Sequence, residues 1–428
     1  MNLERSPTKH ELDELYFLEP GSTAKGTRHL LKRLEQSCFI KKKEGAYRRV
    51  GTEERLIEQY CGDGLTLFLG AGVSLGSGLP SWRKLIDSIL QSEGFRIRRS
   101  KRLGCVSSSR VLAEYAGLPL TAQFDLIEPQ NDIEFARKLS EGLYGSPDFQ
   151  KLRNLLGKIP ISNDEKKAPK TWQLWTDIKK EIADHNQTLE AVGDLLLGPQ
   201  AEPPAPNPQI HAVLTVNVDN LLQSYVMACA NGEWILTTVD RPSVGDHPGR
   251  IPVYHLHGFL DARVDSSSQE ADEDSDESVA PELVFRESEY FNVIASPTGF
   301  ANYTAHSFLQ RHNVLFIGTS LDDINLRRWL YDSYSERVRA RTRYLRQIYP
   351  DHYEDAEQEA RYASVRHFWF RTKNDLPVIE RNGSIITEPT LNRLMRNFGI
   401  EIVWCETHAD VARCLRKLRA VPPRRSAR

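Results

Sequence analysis

Asn217 and Asp219 stand two residues apart at the end of one apolar run, 211–220, and His255 and His257 stand two apart at the end of another, 251–258. A side-chain amide orients a water and a sugar hydroxyl without titrating. An imidazole that is neutral at working pH accepts a proton from either. A third run, 65–74, ends in Gly70-Ala71-Gly72-Val73-Ser74, where missing side chains let backbone N–H groups approach a pyrophosphate, helped by the positive end of the following helix. Such a loop suits a dinucleotide. A fourth run, 313–323, ends in Gly318-Thr319-Ser320-Leu321-Asp322-Asp323. Each feature alone also has a plain reading. Gly-Ala-Gly serves any tight strand-to-helix turn, Asn217 and Asp219 could cap a helix starting near Leu221, and a lone histidine is commonly a satisfied core residue.

The elements that position these residues share one design, a hydrophobic body followed by Asn, Asp, His, Gly or Ser at the C-terminal end. In an open parallel sheet, ligands bind outside those ends, where the strand order reverses. The pattern predicts an α/β fold, a Rossmann-like parallel sheet flanked by helices, with the strand at 398–404 and the helix at 408–418 as its last members. Pro80 and Ser81 mark the start of a helix over 82–90. An enlarged, mainly helical insert is expected at about 96–208, closed by the proline-rich stretch 198–208. Its segment 172–182 is amphipathic, and Trp172 and Trp175 are read as core. The expected organisation is an N-terminal extension over 1–50, partly helical near 27–37, a main domain over 51–420, an acidic flexible loop at about 261–281 and a basic tail at 421–428.

The chain has 428 residues, 40% hydrophobic and 27% charged, enough for one large core or two domains. Lys plus Arg number 56 against 58 acidic residues, so no broad electrostatic case for nucleic-acid binding exists. The basic patches at 96–102, at 337–346 and in the tail read most simply as solvated helix faces or ends, with contact to RNA, DNA or an acidic partner as the alternative. No signal peptide and no apolar stretch of roughly 18 residues is read, and the six scattered cysteines suit a reducing cytoplasm.

Four ordered motifs carry a resemblance: Gly-Ala-Gly-Val-Ser with Gly-Leu-Pro, then Thr-Val-Asn-Val-Asp, then His-Gly, then Gly-Thr-Ser. In that order they resemble the sirtuins, which bind NAD, over roughly 65–418. The wording at 217–222, 255–258 and 321–328 is closest to the bacterial sirtuin-like NADases of antiviral defence. The resemblance implies that Asn217 positions the water, that Asp219 holds the nicotinamide carboxamide, and that His257 is the general base, with His255 a structural neighbour. It places Gly70, Ala71, Gly72 and Ser74 at the pyrophosphate, Arg83 near the phosphate or nicotinamide ribose, and Thr215 beside the cofactor. Gly318, Thr319 and Ser320 would surround the adenosine half. Asp322 or Asp323 could meet a ribose hydroxyl, and Asp323 could equally cap the next helix.

Departures from the deacylase pattern shape the expected activity. No two cysteines are spaced to make the zinc ribbon's C-x-x-C pairs, so no zinc and no other metal is expected. The segment 282–290 lacks the expected Phe-Gly-Glu, Val216 stands where deacylases usually have glutamine, and Trp82 replaces a usual phenylalanine. The leading expectation is an NAD+ glycohydrolase of the bacterial cytoplasm, releasing nicotinamide and ADP-ribose. It is expected to act as a homo-oligomer with an activating protein partner, an ATPase or nucleic-acid-guided factor, and with no membrane or direct nucleic-acid contact. The alternatives are an NAD-dependent protein deacylase or ADP-ribosyltransferase, and a non-catalytic module sensing NAD or ADP-ribose.

Overall fold

The computed structural model describes residues 40–43, 46–49, 51–92, 119–125, 127, 131–159, 172–198, 204–242, 247–263, 282–348, 353–376, 380–381, 384–385 and 387–422. The helix expected near 27–37, the patch at 96–102, most of the acidic loop and the tail from 423 lie outside them.

Seven strands form one all-parallel sheet: β1 (Leu65–Leu69), β2 (Ile210–Thr215), β3 (Leu236–Val239), β4 (Ile251–His255), β5 (Val314–Ile317), β6 (His367–Thr372) and β7 (Ile400–Cys405). Their order is β7-β6-β5-β1-β2-β4-β3. Strands covered on both faces read as continuous apolar runs, and β1 and β5 are buried throughout. The chain builds outward from β1 on one side, through β2, then returns to its other side with β5. Leu69 therefore pairs with Thr215 on one flank and Ile317 on the other. This is the reversal of strand order that makes a Rossmann-like crevice.

The helices are α1 (Thr52–Gly62), α2 (Trp82–Ser92), α3 (Leu120–Phe124), α4 (Asp132–Tyr144), α5 (Gln150–Leu156), α6 (Trp172–His185), α7 (Gln187–Leu196), α8 (Leu221–Cys229), α9 (Glu287–Ala295), α10 (Phe300–Arg311), α11 (Ile324–Ile348), α12 (Tyr353–Ala363), α13 (Thr387–Arg396) and α14 (His408–Ala420). Residues alternate across the sheet, so Leu67 and Leu69 enter a core with α2 and α4–α8, while Phe68 enters another with α10, α11 and α13. The insert shares the first core, and α7 packs on α8 and α14. It is part of the layer that covers the sheet. Trp175 is 3% exposed and belongs to that core, but Trp172, opening α6, is 67% exposed, which corrects the expectation that both are buried. Residues Ile40–Lys43 and Ala46–Arg49 pair as an antiparallel hairpin separate from the main sheet. No helix among the described residues is long and apolar enough to cross a membrane.

Candidate functional site at the sheet's reversal point

The glycines leaving β1 and β5 meet face to face. Gly70 N–H donates to the Ile317 carbonyl at 3.0 Å, and Gly72 N–H donates to the Gly318 carbonyl at 2.8 Å. A Cβ at Gly70 or Gly72 would lie 2.7 Å from the Gly318 carbonyl oxygen, and one at Gly318, whose φ is +66°, would lie 2.6 Å from Val73 N. Side chains are therefore excluded here by the close approach of two backbones. Val73 and Ser74 N–H groups close 3-10 turns onto Gly70 and Ala71. The loop's donors are thus largely engaged within the protein. Ser81 caps α2, and Arg83 stands exposed on that helix.

A relay of polar side chains lies beneath this loop. Thr215 Oγ1 donates to the Leu69 carbonyl and accepts the Asn217 N–H at 2.9 Å, which fixes the chain as it leaves β2. Asn217 Nδ2 donates to the Gly70 carbonyl at 3.1 Å and to Ser74 Oγ at 3.2 Å, and Ser74 donates to Asp219 Oδ2 at 2.8 Å. Asp219 Oδ1 accepts the Leu221 N–H across the turn that leads into α8, whose N-cap is Asn220, so Asp219 closes the relay. Burial raises its pKa, against the pull of those two hydrogen bonds. Asn217 Oδ1 is buried without a hydrogen-bond partner among the described residues.

The two histidines end up in different surroundings because β4 stops at His255 and the alternation stops with it. His255 Nδ1 donates to the Asn217 carbonyl at 2.8 Å and Nε2 accepts from Gln223 at 2.7 Å, partners that assign its neutral tautomer. Burial takes its pKa down to about 4. His257 is 1% exposed, and both its ring nitrogens lack a hydrogen-bond partner among the described residues. Burial lowers its pKa, while Asp323 pulls it back. Gly258 follows at φ +87°, and Val284 N–H donates to the His257 carbonyl at 3.1 Å. Residues 282–285 thus lie against the turn that carries His257.

A cavity of about 30 Å³ lies over the relay, bounded by Ala71, Asn217, Asp219, Trp82 and Phe285. That is room for a couple of waters. The Trp82 and Phe285 rings are 4.6 Å apart and close its outer side, backed by Phe124 at 5.2 Å from Phe285. Ser320 and Asp322 border a larger cavity of about 290 Å³ between α11, α13 and the sheet, walled by Trp369 and Phe398. Thr319 faces inward to the chain, its carbonyl accepting Trp369 Nε1 and its Oγ1 accepting Leu321 N–H. Asp323 Oδ1 accepts Leu326 N–H at 2.8 Å, so the capping alternative holds for it. Phe285, Tyr290 and the placement of Asp323 beside His257 escaped the sequence reading, since no motif joins segments so far apart in the chain.

Residues 211–370 match the family model of the SIR2-like domain.

The SIR2-like match supports a sirtuin-like family and, with it, an NAD-related activity. It takes in Asn217, Asp219, His257 and 318–323 but not the glycine loop at 70–74, so it is shorter than the resemblance expected over 65–418. No curated protein matches the chain. Among the described residues, no cluster of His, Cys, Asp and Glu is placed to hold a metal ion.

Proposed function

We propose that this chain is an NAD+ glycohydrolase that converts NAD+ and water to nicotinamide, ADP-ribose and a proton. The observation that carries this reading is the set of buried, unpartnered polar atoms at the reversal point: Asn217 Oδ1 and both nitrogens of His257. Leaving such atoms unpaired costs stability, on the order of 1–3 kcal/mol each, and a substrate's hydroxyls and water are what they suit. In this reading Asn217, anchored through Nδ2, offers Oδ1 to the water or ribose. His257, kept neutral by burial, accepts a proton from a ribose hydroxyl or from the attacking water. Asp219 and Ser74 line the cavity where the nicotinamide carboxamide would sit, and Gly318, Thr319 and Ser320 stand toward the adenosine half.

A pure sensing module would not require both the unpaired Asn217 Oδ1 and the unpaired His257 imidazole. A peptide deacylase is disfavoured because residues 282–285 of the chain itself lie against the His257–Gly258 turn. We place the enzyme in the bacterial cytoplasm as an antiviral effector, oligomeric and switched on by a protein partner, since unregulated NAD+ loss kills its own cell. The deciding experiment incubates the purified full chain with NAD+, alone and with candidate partners, and follows nicotinamide and ADP-ribose. Equal release of both supports the proposal. No release under any condition, with NAD+ bound, transfers the case to the sensing module.

A further inference from the structure

His257 has a carboxylate nearby that no motif announces. Asp323 Oδ2 lies 3.9 Å from His257 Nε2, beyond a direct hydrogen bond but close enough for strong attraction in a buried site. That carboxylate is steadied from two other directions. Its Oδ1 accepts the Leu326 N–H at 2.8 Å, and its Oδ2 accepts the Tyr290 hydroxyl at 2.7 Å. Tyr290 also sets its ring edge-on to the imidazole, with centroids 5.4 Å apart and planes at 72°. The turn after β4, helix α9 and the start of α11 thus meet at one point. Oδ1 alone suffices to cap α11, so the second oxygen and the tyrosine hydroxyl are surplus to that helix.

We infer that Asp323 and Tyr290 are positioning residues for His257: the carboxylate pairs with the imidazolium formed when His257 accepts a proton, and the Tyr290 hydroxyl fixes that carboxylate and tempers its pull. A slight ring rotation or a single bridging water closes the 3.9 Å gap once the ring is charged. Burial and Asp323 are the opposing influences on the ring's protonation, and the Tyr290 hydroxyl is held firmly protonated by burial and the same carboxylate. The catalytic consequence rests on the hydrolase reading above; the placement of the three side chains does not.

Two conservative variants separate this role from a packing role because they move His257 in opposite directions. Asp323→Asn retains the cap, since Asn caps as well as Asp, but removes the charge. Tyr290→Phe retains the ring but frees the carboxylate from its hydroxyl. The measurement is NMR titration of histidine-labelled full-length protein without NAD+, with the His257 signal assigned by its loss in His257→Gln. Asp323→Asn is expected to lower the His257 midpoint by roughly one pH unit, or to keep the ring neutral down to the acid edge of folding. Tyr290→Phe is expected to raise it. In nicotinamide release, Asp323→Asn should lower kcat by about tenfold with little change in KM and move the acid limb to lower pH. Midpoints that stay in place, or that move the same way in both variants, overturn the inference. Wild-type protein that releases no nicotinamide, alone or with candidate partners, defeats the hydrolase reading, while the titration still decides the positioning.

Discussion

At the scale of single residues, Asn217 and His257 keep unpaired atoms where their neighbours are satisfied. Asn217→Ala and His257→Ala should each abolish nicotinamide release while leaving the circular dichroism spectrum unchanged, because neither side chain fills the apolar core. Full turnover by either folded variant would remove the mechanism. His255 is the contrasting case. Its pKa of about 4 lies below the 6.5 of an unfolded histidine, so its share of stability is intact above pH 6.5 and is lost as pH falls toward 4. The gap corresponds to up to about 3 kcal/mol. The melting temperature should drop across that window, and the drop should be shallower in His255→Gln. Sequence favours His257 over His255 through the adjoining Gly258 and the sirtuin resemblance. It could not say why, because the reason lies in partners brought from Gln223, Tyr290 and Asp323.

At the scale of elements, Trp82 opens α2 and Phe285 precedes α9, and their rings, tilted at 56° to one another, close a cavity too small for a pyridine ring with its carboxamide. Trp82→Ala should raise kcat/KM for NAD+ in the isolated protein and lower its melting temperature, both readable in one preparation. An unchanged rate would mean that the aromatic wall does not limit entry. Five of the seven strands were legible because parallel strands buried on both faces leave unbroken apolar runs, as in 65–69 and 314–317, whereas β3 and β6, whose short runs are interrupted by Thr, His and Arg, were not. The insert was legible as helix but not in its placement. The periodicity of 172–182 announces a buried stripe without saying what covers it, and α8 does so together with α5 and α7. The hairpin at 40–49 left no such signal, being rich in lysine and arginine.

At the scale of the whole molecule, α1 is tied to the edge strand β7 by a buried ion pair between Arg55 and Glu401, each side chain 4% exposed, with Arg55 also reaching the Val365 carbonyl. Glu401→Ala should cost roughly 3–5 kcal/mol in denaturant unfolding, because it removes the carboxylate paired with the buried Arg55 and facing Arg396 at 3.6 Å, whereas Arg55→Met with Glu401→Leu should recover most of that loss. Oligomeric state belongs to this scale as well. If assembly controls activity as proposed, specific activity should fall with dilution alongside the mass in solution, and constant activity from a monomer would end that proposal. The glycine contact between the β1 and β5 exits bears on where the molecule can bend. With Gly70, Gly72 and Gly318 joined backbone to backbone at the midline of the sheet, the two halves have no slack there and cannot part like a hinge. Breathing of the crevice falls instead to the roof formed by α2, α3 and the residues before α9. Hydrogen–deuterium exchange should accordingly show the amides of Gly70 and Gly72 among the slowest in the chain and those of 119–125 and 282–290 among the fastest, a floor that stays still beneath a moving ceiling.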